Sequence, residues 1–178
     1  STDPNMRTDL LPNMGRTGKA RIINTSSVTC KMGEVGDRFF KLDPEHYRRF
    51  KAYPNSKLAI LMFTTELARR VQGRAITVNA VDPGVVNTGM ITMHKWYDPL
   101  ADIFFRPFIK SPERGAMTAI LLATSDQYVN ISGGFFRNKH QVGLPEAALD
   151  VEACQNLWLQ TEQFVAGLVG SRLKKGEN

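Results

Sequence analysis

Residues Ala75 to Val81 (AITVNAV) form a run almost without polar interruption, closed by Asp82-Pro83-Gly84. Strands that read as continuous apolar runs belong to parallel sheets covered on both faces, whereas a half-solvated strand alternates. A parallel neighbour needs a crossover connection, most often a helix. Both parts are present upstream. Lys19 to Val28 (KARIINTSSV) reads as a second buried strand, rich in β-branched residues and preceded by a glycine. The segment from about Pro54 to Val71 carries Leu58, Ile60, Leu61, Met62, Phe63, Leu67 and Val71, which cover more than one helical face. A helix apolar on two sides is buried on two sides: one covers the sheet, and the other meets a second helix or another subunit.

The rest of the chain fits around this unit. Residues 29–52 are polar and mixed and read as a long loop with a short helix near 44–51; loops of that length are often functional. Pro54 is expected in the first turn of its helix, where its missing N–H costs nothing. Gly73 ends that helix. Val85 to Lys110 holds an apolar and aromatic cluster, including Met90, Trp96, Tyr97, Phe104, Phe105 and Phe108, interrupted by Pro99 and Pro107. It suits either an apolar lid or an ordinary pair of core helices. Ser111 is an N-cap for a helix over about 112–124. A short strand follows near Gly134–Phe136, then an amphipathic helix over 150–170 and a solvated tail at Lys174-Lys175-Gly176. Alternating strands and helices predict an α/β fold, a Rossmann-like doubly wound parallel sheet. One domain is expected over residues 1–178, with 1–19 and 171–178 as poorly structured ends.

Composition narrows the function. A net charge of +6 permits an anionic partner, but the basic residues are scattered and pair only at Arg48-Arg49, Arg69-Arg70 and Lys174-Lys175. With no basic run and no RNA-binding signature, nucleic acid is not the expected partner. A nucleotide cofactor suits the same charge. Cys30 and Cys154 lack metal-site spacing and read as free thiols of a reducing compartment. His46, His94 and His140 are widely separated, so no metal site is expected. The start Ser1-Thr2-Asp3-Pro4 is polar and unlike a secretory leader, and no apolar run reaches the ~18 residues of a membrane span. A cytoplasmic protein is expected, with membrane association only through an N-terminal anchor outside this sequence.

In doubly wound sheets the ligand lies beyond the carboxyl ends of the strands. Ser27 and Asp82-Pro83-Gly84 stand at two such ends, and Tyr53-Pro54-Asn55-Ser56-Lys57 opens the helix after the first. Tyr53 and Lys57, four apart, project from one helix face about a turn apart. Such a pair arises often by chance on a solvated helix start; its position between the two strand ends raises it.

Asn24-Thr25-Ser26-Ser27, then Tyr53-Pro54-Asn55-Ser56-Lys57, then Asn79-Ala80-Val81-Asp82-Pro83-Gly84 resembles the C-terminal half of the short-chain dehydrogenase/reductase family. The spacing is most similar to the retinol-dehydrogenase-like branch, and the resemblance covers roughly residues 8–140. It implies an oxidoreductase that moves hydride between NAD or NADP, NADP slightly favoured by the branch, and a hydrophobic alcohol, aldehyde or ketone. In that reading Ser27 hydrogen-bonds the substrate oxygen. Tyr53 is the general acid/base. Lys57 holds the cofactor ribose and, being cationic, favours the phenolate of a side chain that ordinarily titrates near ~10. Pro83, Gly84, Val86 and Thr88 match positions near the nicotinamide. A homodimer through helix 54–71 is implied.

The family's G-x-x-x-G-x-G turn and its N-N-A-G segment do not occur in this sequence, and Gly15-Arg16-Thr17-Gly18 has the wrong spacing and context. The chain therefore reads as the second half of such an enzyme, with the strand at 20–28 deprived of a neighbour on one side and prone to self-association. Alone, it is expected to bind no dinucleotide tightly. The alternative is a truncated, catalytically inactive family member acting as a structural or interaction fragment.

Overall fold

The computed structural model describes residues 14, 18–36, 39–40, 49–84 and 111–175. A four-stranded sheet is built in the order β1 (Ala20–Thr25), β2 (Ile76–Asp82), β3 (Phe135–Arg137) and β4 (His140–Val142). The first three strands are parallel and the last returns antiparallel. This is the expected α/β architecture, with a mostly parallel sheet. β2 lies between two parallel partners and is buried nearly throughout, which is why its sequence carries no polar alternation. β1 ends the strand order and is only half-buried.

Helix α1 spans Arg49–Arg70, so it begins five residues before the position expected for Pro54. The short helix anticipated near 44–51 and the long one are continuous from residue 49 onward. Pro54 therefore sits in the second turn, where its ring removes one i→i−4 hydrogen bond. Local propensity argued for a break there; burial of Pro54 against the Gly33 loop outweighs it. Helix α2 (Pro112–Thr124) follows its capping signals: Ser111 Oγ accepts from the Arg114 N–H and proline opens the first turn. A short α3 (Glu146–Leu149) precedes α4 (Val151–Lys175), which runs past the end expected at residue 170.

The β3–β4 hairpin was not legible beforehand. Its turn is Asn138-Lys139, both with positive φ (51° and 69°), the geometry that matches strand twist in a two-residue hairpin. The usual signature puts glycine second; a lysine there hides it.

Helices cover both faces of the sheet. On one side Leu58, Leu61 and Met62 of α1 pack with Cys30, Ala80, Phe135, Cys154 and Leu157, while Leu67 and Val71 pack with Ile76, Val78 and Trp158. On the other, Leu122 and Tyr128 pack with Val81 and Phe136. The second helix required by the two-sided apolar pattern of α1 is α4. Phe63 stacks on Trp158 at 5.0 Å, Arg70 lies 4.3 Å over the same indole, and the Thr65 hydroxyl meets Cys154 Sγ at 3.4 Å. Glu66 is buried and neutralised by Arg69 and Arg70 from its own helix.

Candidate active site

The site is assembled where β1 and β2 end and α1 passes above them. The last backbone bond of the β1–β2 ladder runs from the Ser26 N–H to the Val81 carbonyl, 2.8 Å. Beyond it the two chains diverge: Ser27 caps a 3-10 turn over Val28–Met32, accepting from the Thr29 N–H at 3.3 Å, and β2 passes into Pro83-Gly84. Opening of a ladder at strand ends creates the crevice in which ligands of such sheets sit.

Lys57 and Tyr53 are brought together as their spacing predicts. The Lys57 ammonium lies 5.5 Å from the centre of the Tyr53 ring and donates to the Thr25 carbonyl at 3.4 Å. The lysine thus spans from the tyrosine to the end of β1. Tyr53 is about half exposed (48%), so its ring faces solvent rather than the core. Asn55, between them, accepts from the Glu34 N–H at 2.9 Å and holds the loop after the 3-10 turn against the helix.

Two adjacent serines divide the labour. Ser26 is buried and its hydroxyl donates to the backbone carbonyl of Lys57 at 2.8 Å. Ser27 is half-buried at the cap. The serine expected to face a substrate is the more accessible one; its neighbour bolts the strand end to the helix. Pro83 and Gly84 stand at the same end of the sheet, Gly84 with φ +78°, a conformation that favours glycine. Val86, Thr88 and the apolar cluster over 90–108 lie outside the described residues.

Two residues quoted above only as parts of a motif are the ones that join the pieces. Asp82 is buried, and its two carboxylate oxygens accept from the Val28 N–H at 3.2 Å and the Gly84 N–H at 2.8 Å. Arg137 Nε, at the end of β3, lies 3.3 Å from the same carboxylate but off the hydrogen-bonding direction, a charge contact rather than a bond. Asn79 fixes β2 to the segment before β3, donating to the Ile131 carbonyl at 2.7 Å and accepting from the Gly134 N–H at 2.9 Å. The signal for Asp82 was an acid placed directly before Pro-Gly at a strand end; for Asn79, a lone amide inside an apolar strand.

Among the described residues no three His, Cys, Asp or Glu side chains come together as a metal-holding group, and no helix is long and apolar enough to cross a membrane.

Comparison with known proteins gives a consistent picture. The model of the family described as short chain dehydrogenase matches residues 5–96. Among curated proteins, retinol dehydrogenase 14 of Homo sapiens is 34% identical over 160 residues, covering 88% of this chain and 47% of that protein. Retinol dehydrogenase 12 of Mus musculus is 35% identical over 150 residues, covering 84% and 46%. The WW domain-containing oxidoreductase of Pongo abelii is 30% identical over 164 residues, covering 88% and 40%. The chain spans about half the length of the curated relatives it matches. Among solved structures, an uncharacterised protein from Mycobacterium paratuberculosis superimposes with a TM-score of 0.60 at 24% identity, over 82% of this chain and 50% of that one. A short chain dehydrogenase from Salmonella enterica gives 0.53 at 23%, over 76% and 47%. These two show the fold alone.

Proposed function

This chain belongs to the short-chain dehydrogenase family, and we propose that it carries the proton-transfer machinery of an NAD(P)-dependent oxidoreductase acting on a hydrophobic alcohol, aldehyde or ketone. The observation that carries the proposal is the placement of the Lys57 ammonium 5.5 Å from the Tyr53 ring, anchored to the end of β1 beside Ser27.

The donor set suits the sugar and nicotinamide end of a dinucleotide. Lys57 has three N–H donors, one engaged by Thr25, and stands at the strand-end crevice with Gly84. A nicotinamide bound there would supply the hydride chemistry. The chain's own residues handle the proton. In oxidation Tyr53 takes the proton of the substrate hydroxyl while Ser27 holds that oxygen; in reduction Tyr53 returns it. Lys57 sets its ammonium beside the Tyr53 ring, and proton transfer by a positioned side chain contributes roughly 10²–10⁴-fold. A retinol-like substrate is supported by the names of the relatives and by the apolar side chains over 90–108.

A homodimer through helix 54–71 belongs to the same proposal. Ala59, Ile60 and Phe63 of that helix line, with Phe39, Phe40 and Leu157, an open groove of about 600 Å³ that is mainly apolar.

The test is the Tyr53→Phe variant of the full-length protein, assayed for NAD(P)-dependent oxidation of retinol and long-chain primary alcohols. A loss of at least roughly a hundredfold in kcat is expected. Activity that survives the change overturns the mechanism.

A further inference from the structure

We propose that Asp82 is a positioning residue that ties the ends of β1 and β2 into one rigid rim, and that the placement of Ser27 depends on it; the second clause rests on the function proposed above. The backbone ladder between the two strands stops at the bond from Ser26 to Val81. Ser27 and Val28 lie beyond it, so no strand bond holds them. The Asp82 side chain continues the pairing where the backbone has stopped: Oδ2 accepts from Val28, the residue after Ser27, and Oδ1 accepts from Gly84 on its own strand end. One carboxylate thereby spans the crevice between two segments expected to face substrate and nicotinamide.

Its environment argues that this is more than a turn cap. A cap for the Pro-Gly turn needs only Oδ1 and can remain solvated. Asp82 is instead 2% exposed, which is unfavourable for a carboxylate unless it is hydrogen-bonded and paired. Oδ2 is directed across to Val28 in the 3-10 turn that follows β1, and the neutralising Arg137 comes from β3, its register partner. Three strand ends thus converge on one side chain. Misplacement of a group near reacting atoms by about 1 Å can cost on the order of a hundredfold in rate.

The test uses Asp82→Ala and the near-isosteric Asp82→Asn in the full-length protein, read by amide hydrogen exchange and by steady-state kinetics. In Asp82→Ala the Val28 and Gly84 amides should both exchange about tenfold or more faster, the scale of one lost hydrogen bond, while Val78 and Ala80 stay protected. With hydrophobic alcohol, kcat should fall roughly ten- to a hundredfold with little change in KM. Asp82→Asn should show the same paired signature, weaker, and decides the matter if the alanine variant does not fold. Faster exchange at Gly84 alone overturns the tie, since a simple cap predicts that result. Paired exchange with unchanged kcat overturns the positioning of Ser27. If the wild-type protein shows no Tyr53-dependent turnover, the proposed function fails while the exchange result still decides the tie.

Discussion

Ser26 Oγ donates to the backbone carbonyl of Lys57 at 2.8 Å across 31 positions of sequence, joining the end of β1 to the helix turn that carries the lysine. Lys57 returns the link, its ammonium donating to the Thr25 carbonyl at 3.4 Å. Strand end and helix are therefore bonded in both directions, once through the buried Ser26 hydroxyl and once through the Lys57 ammonium itself.

Ser26→Ala removes the buried half of that link. The loss should cost about 1–2 kcal/mol, typical of a hydrogen bond lost from a buried site. Urea denaturation checks it, and an unchanged midpoint would show that the bond contributes nothing. Ser27→Ala, at the more exposed cap, should cost about 1 kcal/mol or less.

Gly33 sits where the loop after the 3-10 turn touches α1. A Cβ there would lie 2.6 Å from the Pro54 carbonyl oxygen and 2.9 Å from Leu58 Cβ, while its φ of −83° is open to any residue. The penalty of Gly33→Ala is therefore purely steric, about 1–3 kcal/mol. Gly36→Ala, with nothing within 4 Å, is the control and should stay within about 0.5 kcal/mol. Equal unfolding midpoints for the two variants would refute the close approach.

Trp158 is the pin between α4 and α1, stacked on Phe63, covered by Arg70 and bonded through Nε1 to Glu162 at 2.6 Å. Trp158→Ala should destabilise by about 3–5 kcal/mol, the range for a large buried aromatic. Limited proteolysis should then cut α4 while α1 stays intact. Unchanged resistance of α4 would show that the stack does not hold it.

The two thiols give a pH dependence. Burial pushes Cys30 above its ordinary value of 9.0, with the nearby Asp82 charge acting in the same direction. Burial likewise raises Cys154, partly offset by its Thr65 contact. Between the unfolded and folded values the native state holds more protons, so stability falls as pH rises. The contribution is fully present below about pH 9 and is lost above it. Melting temperature recorded from pH 7 to 10.5 should drop less steeply for a Cys30→Ala/Cys154→Ala variant than for wild type; identical slopes would refute it.

The start of α2 follows from Ser111 and Pro112, and the burial of β2 on both faces follows from its nearly uninterrupted apolar run. The meeting of Tyr53 with Lys57 follows from a four-residue spacing on a helix. All three rest on interactions within a few positions of one another, which a sequence displays directly. The start of α1 ahead of Pro54 does not, because packing of Pro54 against Gly33 depends on a contact made by another segment. The same holds for the hairpin turn at Asn138-Lys139 and for the Val28 partner of Asp82 in the turn after β1. What the chain determined alone was which residues could form the site and on which elements they stand. Only the tertiary structure decided that Ser26 is buried against Lys57, that Ser27 is the more accessible of the two, and that Asp82 bridges two strand ends. Those choices depend on where the β1–β2 ladder stops, and that point is fixed by register between segments more than fifty residues apart.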